Sequence, residues 1–223
     1  MAIQFLIVPG AWHPAQAYFL LADTLQKHGF KASIAAYPSL NPPNPADVSV
    51  AKDTAAVRLL LRSVLSGEQD QGNHDEGVKV VVVNHSFGGM IGCAAAYGEH
   101  VAGRRERGEK GGVIGIINIA GFTGIEGMSM MQGTGKHADY VRLDKPTLGL
   151  CEVENPKEVF FHDVDDDLAQ KTIKSLLPHA LHVFETAPGP SAATEAAFEG
   201  RLAFLKTTED KALLLRHRII LWV

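Results

Sequence analysis

The sequence predicts an α/β fold: a doubly wound, mostly parallel sheet with helices on both faces. Three observations carry that expectation. Short apolar blocks such as FLIV and VVVV are closed by turn residues, which suits strands buried on both faces. Between them lie segments with apolar residues at helical intervals, which suits helices that cover a sheet. A chain of 223 residues is long enough for one well-buried core, so residues 1–223 read as a single domain.

Ile3 to Val8 is an apolar block stopped by Pro9-Gly10, the first strand. In residues 15–28, Tyr18, Leu21, Ala22 and Leu25 share a helical face, and Gly29 follows as a C-cap. Lys31 to Ala36 reads as a second strand leading into YPSLNPPNPAD, too rich in proline for helix or central strand. Residues 47–66 carry Val50, Val57, Leu60, Leu61, Val64 and Leu65, a second amphipathic helix. SGEQDQGNHDEG is a polar loop. The Val78–Val83 strand, a helix after Ser86, the charged loop GRRERGEKGG and the strand Val113–Ile119 follow. Beyond residue 121 the chain becomes irregular and rich in Gly and Met, an excursion from the sheet that continues into the helix LAQKTIKSLL, stopped by Pro178. Residues 201–206, RLAFLK, read as the sheet resuming.

Composition narrows the function. A hydrophobic fraction of 46% and a charged fraction of 21% describe an ordinary globular chain. A net charge of −4 gives no reason to expect nucleic acid as a partner. Cys93 and Cys151 are too few for a disulfide framework and form no C-x-x-C pair. The opening MAIQFLIVPGAW has no charged leader region, and VIGIINIAGF, the longest apolar stretch, is far shorter than the ~20 residues of a membrane helix. The expectation is a cytoplasmic chain with no membrane partner.

In parallel sheets ligands bind where loops leave the carboxyl ends of the strands. Three such loops stand out: PGAWHP, YPSLNPP and NHSFGG. In the last, Asn84-His-Ser86-Phe-Gly88-Gly89 is a variant of the G-x-S-x-G nucleophile elbow, set between a valine strand and an alanine-rich helix. The plainer reading makes Ser86 an N-cap. The elbow also accounts for the two glycines, which a tight strand-to-helix corner requires. Its one departure is Asn84 in place of the first glycine, and Asn is among the residues that best tolerate unusual dihedrals.

With these motifs the chain resembles the α/β-hydrolase family, in particular the branch of plant methyl esterases and hydroxynitrile lyases and their fungal relatives. FLIVPGAWHPAQAYFLLADTLQKHGF, VVVVNHSFGGMIG, FFHDVDDDLAQKTIKSLLP and RLAFLKTTEDKAL carry the likeness. The resemblance implies an α/β-hydrolase fold with residues 122–190 as an inserted cap. It implies Ser86 as nucleophile, the N–H groups of Ala11 and Phe87 as the oxyanion hole, and Asp210 as the acid of the triad. The expected partner is a small-molecule substrate or ligand, and no cofactor and no metal are assigned. The plainer reading of Asp210 is a solvated turn carboxylate.

The base is the gap. The family's histidine follows the acid after a helix and a strand, which need roughly 20–30 residues with their loops. Only 13 residues follow Asp210, and His217 is the sole histidine among them. The chain therefore reads as C-terminally short, its last helix and strand missing. An unpaired sheet edge would follow, and with the apolar RIILWV it would favour poor solubility or a homodimer. His13 and His85 lie near the nucleophile in sequence or loop, with His85 expected to project away from Ser86. His179 and His182 have a spacing that suits a metal but lack a third ligand. HDVDDD opens like a calcium loop but has Leu168 where the turn glycine belongs, so helix capping accounts for it better. Two functions remain: a serine hydrolase of a small ester or related acyl compound, or a silent or non-hydrolytic relative that binds a small apolar ligand.

Overall fold

The computed structural model describes residues 3–67 and 77–213. In chain order it runs β1 (Ile3–Val8), α1 (Phe19–Lys27), β2 (Lys31–Ile34), α2 (Val50–Ser66), β3 (Lys79–His85), α3 (Gly88–Ala96), α4 (Val101–Glu106) and β4 (Gly112–Ile119). The excursion then carries α5 (Met130–Thr134), β5 (Val141–Leu143), β6 (Leu150–Val153), α6 (Pro156–Phe160), α7 (Asp166–Ile173) and β7 (His179–Ala180). The chain returns as β8 (Leu202–Leu205).

The main sheet has five strands in the order β2-β1-β3-β4-β8, and every pair is parallel. Leu6, Ile7 and Val8 of β1 and Val80, Val82 and Val83 of β3 are buried, as strands covered on both faces must be. The first helix starts as a short turn at Ala15–Tyr18 before α1, and Gly29 follows at φ 85°. In α2, Val57, Leu61, Val64 and Leu65 bury one helical face, each burial stabilising by about 1.5–3 kcal/mol. The helix begins at Val50 and not at residue 47, because Ser49 accepts the Lys52 N–H as N-cap; Gly67 at φ 73° ends it.

β3 runs two residues past the valine block, with Asn84 and His85 still in register with Asn118 and Ile119. The strand therefore delivers Ser86 directly to the helix. All nine residues of α3 are buried. Arg58 of α2 donates to the carbonyls of Ala94 and Ala95, satisfying acceptors that the end of α3 leaves open. Asn84 itself does not adopt a positive φ; what the motif's glycine position controls here is space. The Asn84 side chain packs against α3, where a Cβ on Gly92 would overlap its Oδ1, and its Nδ2 donates to Asn118 Oδ1 at 3.0 Å. A glycine moved onto the helix makes room for the asparagine on the strand.

The excursion forms a second, three-stranded antiparallel sheet, β5-β6-β7. It is fastened to α2 and to the loop after β2 by a buried polar cluster. Ser39 Oγ donates to Asp53 Oδ2 at 2.5 Å and lies 3.3 Å from His179 Nε2, while Ser39 N–H donates to Asp53 Oδ1 at 3.0 Å. Burial pushes the Asp53 carboxyl up to about 6, against the Ser39 hydroxyl and amide and the nearby His182. The backbone adds Ala180 N–H to Ser39 O and Asn41 N–H to Pro178 O. No helix among the described residues is long and apolar enough to cross a membrane.

Two outcomes follow from this packing. Gly92→Ala would ordinarily gain helix propensity, but against Asn84 it should destabilise by about 1–3 kcal/mol in chemical denaturation. In an Asn84→Gly background the same change should become neutral or favourable, and an equal loss in both backgrounds would contradict the contact. Asp53 binds its proton more tightly folded than unfolded. Its stabilising contribution is full near pH 4 and is lost as pH rises through about 6. Asp53→Asn should therefore exceed wild type in stability above pH 6 by about 1–3 kcal/mol, with the gap closing towards pH 4. A gap independent of pH would contradict the burial.

Candidate active site

The strand order creates the crevice. From β1 the chain passes outward to β2 on one side, and β3 lies on the other. The loops after β1 and β3 therefore diverge at the carboxyl edge, the place where such sheets take ligands. Ala11 stands in the first loop and Ser86 begins the second. Ser86 has φ 51°, a left-handed conformation uncommon outside glycine, while Phe87 behind it is already helical at φ −51°. The N-cap position of α3 belongs to Phe87, so Ser86 is the corner that precedes the helix and not its N-cap.

The corner survives because its neighbours have no side chains. A Cβ on Gly88 would overlap the Pro9 carbonyl, and one on Gly89 would overlap the Phe122 carbonyl. Backbone bonds then lock it: Ser86 N–H to Ile119 O at 3.1 Å, and Gly89 N–H to Ser86 O at 3.0 Å. Trp12 (φ 64°) and Ala120 (φ 45°), on the loops either side, are also left-handed. Left-handed non-glycine residues cost of order 1–3 kcal/mol each and collect at functional sites.

Two cavities meet at Ser86. A wide cleft of about 630 Å³ is lined by Ser86, Ala11, His13, Tyr18, His85 and Asp210, among others. A smaller chamber of about 90 Å³ is lined by Ser86, Ala11, Phe87, Phe122, Met130 and Phe184, among others. Among the described residues, no acceptor takes the N–H of Ala11 or of Phe87. Asp210 stands in the loop after β8. Its Oδ1 accepts the N–H groups of Ala212 and Leu213 at 2.8 and 2.9 Å, and its Oδ2 accepts the Thr207 hydroxyl at 3.0 Å. The same loop is tied to the excursion by Tyr140 Oη donating to Ala212 O and by the Lys211–Glu158 ion pair.

His85 lines the cleft beside Ser86 instead of projecting away from it. Gly10 makes this possible, since a Cβ there would stand 2.8 Å from His85 Nδ1. Tyr18 Oη accepts the Gly10 N–H at 2.8 Å and lies 2.7 Å from His85 Nδ1, so its one hydroxyl hydrogen is directed at that nitrogen. The imidazole then carries its proton on Nε2. Burial, with a smaller contribution from His13, pushes His85 down to about 4 against the pull of Asp210, so it is neutral at pH 7. His13 is the converse. Its Nδ1 lies 2.7 Å from Ala11 O, which can only accept, so Nδ1 donates and Nε2 keeps the lone pair. Burial lowers its pKa as well. His217 lies outside the described residues, and no described histidine is bonded to Ser86 Oγ.

Sequence reasoning passed over the two tyrosines that hold this geometry. Tyr37, in the second of the three loops, donates to the carbonyls of Pro9 and Gly10 at 2.9 and 3.0 Å. Trp12 Nε1 donates to Cys151 O, and its ring stacks on Phe184 at 5.4 Å, joining the first loop to β6. The other candidates have structural roles. Asp165 N-caps α7 through the N–H groups of Asp167 and Leu168. His179 belongs to the Ser39 cluster, and His182 Nε2 donates to Val48 O. Among the described residues there is no cluster able to hold a metal. Both cysteines are buried, which pushes their thiols up to about 12.

Tyr18→Phe should leave the Gly10 N–H unpaired and destabilise the fold by about 1–3 kcal/mol. Nitrogen-15 NMR of His85 should report a single Nε2–H tautomer in wild type and a mixture in the variant. An unchanged tautomer would contradict the relay.

A family model described as "Alpha/beta hydrolase family" matches residues 5–220. No curated protein matches the chain. Among solved structures, a mutant of polyneuridine aldehyde esterase superposes with a TM-score of 0.68 at 16% identity, over 98% of this chain and 85% of that one. A variant of tomato methylketone synthase I in complex with β-ketoheptanoate gives 0.68 at 12% identity, over 99% and 83%. An extracellular α/β-hydrolase from a Paenibacillus species gives 0.64 at 16%, over 96% and 81%. At these identities the structures speak to fold alone, and they agree with the family model: the chain belongs to the α/β-hydrolase family.

Proposed function

We propose that the chain is a serine hydrolase of small carboxylic esters or related acyl compounds. The observation that carries this reading is the left-handed Ser86 at the strand-to-helix corner, with the N–H groups of Ala11 and Phe87 beside it and, among the described residues, taken by no other acceptor. Ser86 Oγ adds to the carbonyl carbon as its proton passes to an imidazole that Asp210 orients. The two amides take the charge that develops on the carbonyl oxygen, each contributing ~2.7–4 kcal/mol. The carbon–oxygen bond breaks, the alkoxide leaves with that proton, and water then releases the acid and restores Ser86. Of the described histidines, His13 presents the lone pair on Nε2 that a base needs. Residues 122–190 act as a cap that narrows access to Ser86 and shields it from water. That a variant of tomato methylketone synthase I holds β-ketoheptanoate, and the synthase 2-tridecanone, agrees with a small-molecule substrate under such a cap.

A second reading, ligand binding without turnover, is favoured by one fact. Among the described residues Ser86 Oγ has no histidine partner, and the His85 Nδ1 lone pair is taken by Tyr18. The two readings separate on intact mass after a fluorophosphonate probe. Hydrolase chemistry requires one adduct on wild type, none on Ser86→Ala, and hydrolysis in Asp210→Ala reduced by about 10⁴-fold. Labelling of His13→Ala and His217→Ala identifies the imidazole that takes the proton. A folded wild type that takes no adduct would support the binding reading.

A further inference from the structure

We infer that the two cavities divide the substrate, with the acyl group in the small chamber and the leaving alcohol in the wide cleft, so that the chain acts on esters of short apolar acids with larger alcohol parts. The inference rests on the hydrolase reading and names its substrate class. Ser86 and Ala11 border both spaces, so a carbonyl carbon at Ser86, with its oxygen turned to the amides, sits at the neck between them. Its two other substituents must point one each way.

Chemistry decides which goes where. The departing alkoxide needs a proton, and the group that returns it is the imidazole oriented by Asp210. Asp210 borders the wide cleft and not the chamber, as do Tyr18, His13 and His85. The alcohol must therefore leave on the cleft side, and the acyl chain is left with the chamber. That chamber is lined mostly by apolar side chains, Trp12, Phe87, Phe122, Met130 and Phe184 among them, with Thr134, Lys136 and His137 also on its wall. An apolar chain gains there by burial against the aromatic walls. Its 90 Å³ is about a seventh of the 630 Å³ of the cleft, so the chamber takes the smaller of the two substituents. Phe87 and Phe184 are nearly fully buried, at 1% exposure each, so these walls hold their positions. Met130 is partly exposed and unbranched, which makes it the wall whose size can be changed with least damage to the core.

The test is a series of p-nitrophenyl esters from acetate to decanoate, with kcat/KM as readout and fluorophosphonate labelling of Ser86 run alongside. Wild type should favour acetate to hexanoate and lose at least about tenfold by decanoate. Met130→Ala should raise the decanoate-to-butyrate ratio by about tenfold, and Met130→Trp should lower butyrate relative to acetate by a similar factor. Phe161 lines the cleft and not the chamber, so Phe161→Ala should change the preference among leaving alcohols and leave the acyl profile in place. A flat acyl profile in labelled, active protein would overturn this inference and leave the hydrolase reading standing. So would an acyl profile that follows Phe161 instead of Met130. Absence of both adduct and turnover would remove the hydrolase reading and the substrate class with it.

Discussion

The left-handed backbone at Ser86 is the constraint around which the rest is arranged. Such a corner is unfavourable by about 1–3 kcal/mol and holds only where its surroundings allow nothing else. Here the allowance is made of missing side chains. Gly88 lets the Pro9 carbonyl close in, Gly89 lets the Phe122 carbonyl close in, and Gly121 leaves space against the Ser86 backbone. The burial of all of α3, and the end-capping of its carbonyls by Arg58, supply the stability that offsets the strain.

The corner matters because of where the sheet puts it. Parallel strands in the order β2-β1-β3 bring the loops after β1 and β3 to either side of one crevice, so Ser86 from one and Ala11 from the other line the same space. Tyrosines then fix the first loop, Tyr37 through its carbonyls and Tyr18 through the Gly10 N–H. The two cleft histidines carry opposite tautomers for local reasons, His13 because a carbonyl faces its Nδ1 and His85 because a hydroxyl does. One is left as an acceptor and the other as a donor within a single cleft.

Much of this was legible in the sequence, and the exceptions have a common cause. Strands β1, β3, β4 and β8 announce themselves as apolar runs, and the glycines after Ser86 announce the corner, because these depend on near neighbours. What sequence could not give was who fills the space between distant segments. Asn84 looked like a concession in backbone geometry; its real partner is Gly92, one helix away. His85 was expected to turn away, and turns inward because Gly10, on another strand's loop, leaves it room. Ser39 and His179 are 140 positions apart, and only the fold brings them together over Asp53. Helix starts moved by a few residues wherever a cap such as Ser49 decided the matter.

The most direct measurement of the central claim is a crystal structure of the chain with a phosphonate bound covalently to Ser86 Oγ, since the phosphonyl oxygen stands in for the oxyanion. If the proposed oxyanion hole is right, that oxygen should lie about 2.7–3.1 Å from both the Ala11 and the Phe87 amide nitrogens, the distances a working oxyanion hole requires. A phosphonyl oxygen turned towards solvent, or held by some other donor, would contradict it.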